Sequence, residues 1–268
     1  MLSRAEFKAV IIEYYEVSGR DLPWRRTRDP YRILVSEIML QQTQVDRVRA
    51  FYEKFIKRFP DFSKLAKSKK SDVLRVWQGL GYNRRALALR ETAKIVVKKF
   101  GGRLPREREV LESFPGVGSY TAGAVRAFTF GEPEIFLETN IRRVFIHFFF
   151  PKRKKVHDRE ITPLIERTLD RKNPREWYFA LMDYGAMLGV TAKANPNRRS
   201  AHYARQSKFS GSDREIRGKI VRLLLARKKM STKELEATIP QSEERIAKVL
   251  DSLSREGFLK KKGNTILI

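Results

Sequence analysis

The chain has 268 residues, 41% of them apolar, enough for one large or two modest domains with buried cores. Its 57 lysines and arginines against 31 acids leave a net charge of +26, which favours a polyanionic partner, nucleic acid first, over a small metabolite. The absence of cysteine excludes disulfides, thiolate metal sites and cysteine nucleophiles, and the apolar run Val144–Phe150 is too short to cross a bilayer.

The opening residues MLSRAEFKAV carry no apolar signal core, so the expected location is cytoplasmic and nucleoid-associated, with no membrane partner. Ser3 and Glu6 instead form a capping-box pattern ahead of Phe7, Val10, Ile11 and Tyr14, which recur at helical spacing. After the loop GRDLPWRRTRDP, Asp29 is a cap and Pro30 a first-turn residue for a second helix. Periodicity predicts further helices over 45–58, 71–78, 84–100, 107–113, 119–129, 140–149, 158–170 and 174–188, with only weak strand signals before residue 255. From 190 to 212 the chain turns polar and basic, an ordered extension or a linker, and a domain boundary is placed near Ser210–Ser212. Helices over 213–226, 232–238 and 242–256, then a strand pair turning at Gly263-Asn264, have the order of a winged helix. Its would-be reading helix sets Arg245, Lys248 and Arg255 against Glu243, Glu244, Asp251 and Glu256, so major-groove insertion is unfavourable. That module is open to binding DNA through its Lys260–Lys262 wing or to docking a protein.

Two stretches carry candidate chemistry. In SEIMLQQTQV, Glu37 shares a helix face with Ile33, Leu34 and Ile38, and such burial favours the neutral, proton-donating carboxyl. In FPGVGSYTAGAV, Gly116 and Gly118 permit a tight turn between helices, with backbone N–H groups that suit a phosphate oxygen; PGVG alone also reads as a plain turn.

LPWR (22–25), DPYRILVSEIMLQQTQV (29–45), GLGY (79–82), PGVGSYTAGAV (115–125) and MDYGAM (182–187) together resemble the helix-hairpin-helix (HhH-GPD) DNA glycosylases over roughly residues 3–190. QQTQV with LPWR is most similar to the adenine DNA glycosylase (MutY) branch. The resemblance implies a mainly α fold of two helical subdomains flanking a cleft for the flipped nucleotide. With the winged helix this gives a glycosylase domain over 1–211, including the basic extension 190–211, and a small domain over 212–268. It also implies a monomeric, monofunctional glycosylase of base excision repair acting on double-stranded DNA with a mismatch or lesion. Adenine opposite 8-oxoguanine or guanine is the expected substrate; excision of thymine or uracil opposite guanine, and non-catalytic mismatch binding, are the alternatives.

By this resemblance Glu37 protonates the adenine ring. Glu138 stands where relatives carry aspartate, and at a helix entry its charge is favoured by the dipole, although a plain helix-start glutamate fits too. Tyr120 occupies the position of the Schiff-base lysine of bifunctional relatives, and tyrosine forms no imine. Asn140 holds Glu138 or a water, or simply caps a helix. Arg20, Trp24 and Arg25 line the base pocket, or form a surface loop around one packed tryptophan. Gln42 and Tyr82 wedge into the base stack, while Thr43 and Leu80 border the opposite base. Asp183 reaches the purine or is a paired acid. Most relatives bind an iron–sulfur cluster after the MDxGAM helix. This chain, with Gly189 near the first cysteine position, has no ligand for it, and no cofactor is expected.

Overall fold

The computed structural model describes residues 3–204 and 208–268 and is mainly α-helical. Its helices in chain order are α1 (Arg4–Ser18), α2 (Pro30–Leu40), α3 (Val45–Arg58), α4 (Phe62–Lys67), α5 (Lys70–Trp77), α6 (Arg84–Phe100) and α7 (Arg108–Glu112). There follow α8 (Ser119–Val125), α9 (Thr139–Phe149), α10 (Asp158–Thr168), α11 (Pro174–Thr191), α12 (Asp213–Arg227), α13 (Thr232–Thr238) and α14 (Glu243–Arg255). Three short strands, β1 (Lys229–Ser231), β2 (Lys260–Lys262) and β3 (Thr265–Leu267), make an antiparallel sheet in the order β1-β3-β2. No helix among the described residues is long and apolar enough to cross a membrane.

The chain divides into two compact units, Met1–Ile38 with Leu104–Arg205 and Met39–Arg103 with Gln206–Ile268. In the first, Ser3 and Glu6 close the capping box that starts α1, by bonds of 3.2 Å and 2.7 Å. Phe7 is then carried into an aromatic cluster with Phe145, Phe148, Phe149 and Trp177, at centroid distances of 5.5, 5.3, 5.0 and 5.9 Å. α9 lies so close against α11 that a Cβ added to Gly185 would fall 2.3 Å from the Asn140 carbonyl oxygen. Asp29 caps α2 by accepting from Arg32 N at 2.9 Å, and the helix is then buried from Ile33 through Met39. The segment predicted as one helix over 119–129 is α8 followed by a wider π-helical turn, Arg126–Phe130, which ends at left-handed Gly131.

In the second unit Phe55 packs on Phe59 and Trp77 at 5.1 and 5.6 Å. Helix α4, absent from the sequence prediction, is started by the Asp61 side chain, which accepts from Lys64 N at 2.7 Å. Six residues give periodicity too little length to register. Strand β1 was likewise missed, because its three residues are strand only through pairing with β3, Met230 opposite Ile266. The sheet and α12–α14 bury Ile220, Leu224, Ile246, Leu253, Phe258 and Ile266 together. This C-terminal module is joined to α5 and α6 by Arg75 to the Leu225 carbonyl at 3.3 Å, Arg84 to Glu256 at 3.1 Å and Lys70 to the Gly257 carbonyl.

Candidate active site

Glu37 lies mid-way along α2 with 3% of its surface exposed, because the apolar residues on either side of it pull that whole stretch inward. Its carboxylate accepts a 2.8 Å hydrogen bond from the Tyr120 hydroxyl. Burial pushes the carboxyl up to about 7; the Tyr120 bond and Arg25 oppose that rise and the nearby Glu138 charge adds to it. Tyr120 projects from the first turn of α8 and meets Phe136 edge-on at 5.7 Å, with Phe136 stacked on Tyr178 at 3.9 Å. Burial, together with the Glu37 and Glu138 charges, raises the phenol well above its ordinary value and keeps it a donor.

Glu138 is the N-cap of α9. One carboxylate oxygen accepts from Asn140 N at 2.7 Å and Ile141 N at 2.8 Å, and the other from the Asn140 side-chain amide at 3.2 Å. Burial raises its pKa, against the pull of the two backbone N–H groups, Arg143 and Arg142. The helix entry was expected to keep this carboxylate ionised, yet burial outweighs the backbone N–H groups and arginines that pull the other way. Three donors on Glu138 against one on Glu37 still separate the two groups. Burial raises both carboxyls, Glu37 to about 7, and the three hydrogen bonds on Glu138 oppose its rise.

Asn140 is itself held, since Arg143 donates to its side-chain oxygen at 2.9 Å, to Asn195 at 3.1 Å and to the Gly185 carbonyl. The basic extension forms a strap here. Asn197 donates to the Thr139 carbonyl at 2.8 Å, and Arg199 reaches the Ile146 and Phe150 carbonyls at the C-terminal end of α9. Residues 205–207 of that extension lie outside the described residues. A Cβ on Gly189 would sit 2.6 Å from an Arg143 nitrogen, so the position near the expected first cluster ligand gives room to this arginine. With no cysteine in the chain, an iron–sulfur cluster does not fit.

Arg20 and Arg25 converge on Asp183, which is 2% exposed, and Arg25 binds it through two bonds of 2.8 and 2.7 Å. Burial would raise the Asp183 carboxyl, but Arg25 and Arg20 more than offset it and hold it below the usual range. The loop around buried Trp24 is fixed further by Arg175, which donates to the Arg25 and Thr27 carbonyls at 2.9 and 2.7 Å. In the hairpin between α7 and α8, Phe114 and Val117 point inward while Gly116, at φ +78°, and Gly118 stay exposed.

The remaining predicted residues belong to the second unit. Gln42 and Tyr82 are exposed and both have left-handed backbones, φ +53° and +47°; Thr43 is half-buried and Leu80 buried. Sequence reasoning missed Arg85, Arg143 and Arg175. The signal for Arg85 was available: it begins the buried stripe Leu89, Thr92 and Val96 of α6, where a cation is out of place unless it has work to do.

Residues 35–171 match the family described as "HhH-GPD superfamily base excision DNA repair protein". The chain is 38% identical over 195 residues to the adenine DNA glycosylase of Buchnera aphidicola (subsp. Baizongia pistaciae), covering 71% of this chain but 54%, about half, of that protein. It is 33% identical over 193 residues to the thymine/uracil-DNA glycosylase of Methanothermobacter thermautotrophicus, covering 71% of this chain and 87% of that one. Among solved structures a thermostable thymine-DNA glycosylase superposes with a TM-score of 0.63 at 31% identity, covering 72% of this chain and 90% of the other.

Proposed function

Because the chain belongs to the HhH-GPD superfamily of base excision DNA repair proteins, we propose that it is a monofunctional DNA glycosylase that removes adenine mispaired with 8-oxoguanine or guanine in duplex DNA. Breaking the bond from C1′ to the base leaves positive charge on the sugar and negative charge on the departing ring. Glu37 gives its proton to a ring nitrogen, so adenine leaves neutral. The Glu138 carboxylate faces the electron-poor sugar, and water adds to C1′ and yields its proton to a carboxylate, leaving free base and an abasic site. Tyr120 keeps Glu37 oriented and forms no imine, so strand nicking is not expected.

The observation that carries this reading is Glu37, buried, raised to about 7 and bonded to Tyr120 close to the Glu138 charge. A held proton favours adenine, whose ring nitrogens accept one, over thymine and uracil. Excision of thymine or uracil opposite guanine is the second reading, favoured by the 87% coverage of the thymine/uracil relative. Arg20, Trp24, Arg25 and the Gly116–Gly118 hairpin are read as base-pocket and phosphate contacts, and Gln42, Thr43, Leu80 and Tyr82 as the residues that occupy the opened stack. Residues 1–211 are read as the glycosylase domain and 212–268 as a winged helix that binds DNA or a protein. The succession α12, β1, α13, α14, β2, β3 supports the latter.

Incubating the protein with duplexes carrying A opposite 8-oxoguanine, A opposite G, T opposite G and U opposite G, then treating with alkali, decides the matter. Cleavage at adenine is expected; cleavage at the pyrimidine establishes the second reading, and binding without cleavage refutes both.

A further inference from the structure

Gln42 and Tyr82 lie on separate loops, and among the described residues Lys228 is the only other non-glycine with a positive φ. Such backbones persist only where surrounding structure over-determines them. Arg214 donates to the Tyr82 hydroxyl at 3.1 Å, while the backbones of both turns converge on one other side chain. The Arg85 guanidinium, 8% exposed, donates through Nη1 to the Met39 and Gln41 carbonyls, the former at 2.8 Å. Through Nη2 it donates to the Thr43 hydroxyl at 2.9 Å and to the Gly81 and Leu80 carbonyls at 3.1 and 3.4 Å. Its Cζ lies 5.5 Å from the centroids of both the Tyr82 and Trp77 rings, and Trp77 donates to the Gly81 carbonyl at 3.1 Å. One planar fork thus holds the turn that presents Gln42 and the turn that presents Tyr82, with acceptors that a lysine, a single point of charge, could not reach together.

We propose that Arg85 is the positioning residue for duplex opening: it clasps the 39–43 and 80–82 loops into one rigid wedge, so that Gln42 and Tyr82 enter the base stack together. The inference rests on the glycosylase reading and adds to it a residue that touches neither the leaving base nor the sugar. Burial lowers the guanidinium to about 10, which leaves it charged at neutral pH and able to hold all its acceptors. A wedge that is already rigid spends no binding energy on ordering, and that difference is largest on a duplex whose stack contains a hole.

The test compares affinity for a duplex carrying a tetrahydrofuran abasic analogue opposite guanine with affinity for the same duplex intact. Wild type prefers the abasic duplex. Arg85→Lys loses about tenfold of that preference, as does Tyr82→Ala, and the double variant loses no more than Tyr82→Ala alone. A lower Tm with an unchanged preference in Arg85→Lys means a merely structural arginine and overturns the inference while leaving the glycosylase reading intact. No preference in wild type overturns the inference at its premise, and the four-duplex excision assay then reports separately on the glycosylase reading. Should Arg85→Lys not fold, Trp77→Phe keeps the buried ring beside the guanidinium but removes its hydrogen bond to the Gly81 carbonyl; a partial loss of preference supports the clasp and an unchanged preference overturns it.

Discussion

At the scale of single residues, the proposed chemistry turns on which of two carboxyls keeps a proton. Glu37 is 3% exposed and accepts one hydrogen bond, whereas Glu138 is half-buried and accepts three, a difference that suits the opposite parts proposed for them. The Glu37 proton has a thermodynamic signature. Its carboxyl rises from an ordinary 4.5 to about 7, so between those values the native state keeps a proton that the unfolded chain has lost. Stability therefore falls as pH rises through that window, by about 3 kcal/mol at most. Glu37→Gln removes the dependence: its Tm should exceed that of wild type at pH 8, with the difference shrinking towards pH 5. The same variant should bind duplex normally and excise nothing. A pH-independent difference in Tm, or retained excision, would refute the assignment of Glu37 as the acid.

At the scale of elements, Glu138 is only as well placed as helix α9. That helix is seated on α11 through the close approach at Gly185, held through Arg143 on its own second turn, and capped at its C-terminal end by Arg199. Gly185→Ala puts a methyl into the Asn140 carbonyl and forces α9 away, which should cost about 1–3 kcal/mol and displace the carboxylate with it. Excision should then fall by about 100-fold, the penalty for a shift near 1 Å, while binding to undamaged duplex holds. Full activity with a lowered Tm would show that α9 does not position the site. The Asp183 cluster works in the same way on the loop around Trp24, where Arg20, Arg25 and Arg175 fix the backbone on either side of a short 3₁₀ turn, Pro23–Arg26.

At the scale of the whole molecule, a net charge of +26 predicts that duplex affinity is dominated by counterion release. A plot of log Kd against log salt should be linear with a slope magnitude of about 5 or more, corresponding to at least about five neutralised phosphates. A flat profile would disqualify duplex DNA as the main partner. The helical frame was legible in the sequence because apolar spacing and caps are local: Ser3 with Glu6, Asp29 and the apolar face of α2 appear as written. Charge excess, the lack of cysteine and the inward face of Glu37 were equally readable, since each depends on composition or on a single helix. Local signals could not give α4, too short to show a period, or β1, which is strand only through its partner 36 residues on at Ile266. Nor could they give the pKa of Glu138, because neighbours distant in sequence set its burial. Only the tertiary structure decided that Arg85, Arg143 and Arg175 serve as internal clasps rather than surface charge. A guanidinium declares its role through the carbonyls it meets, and those lie up to 150 residues away along the chain.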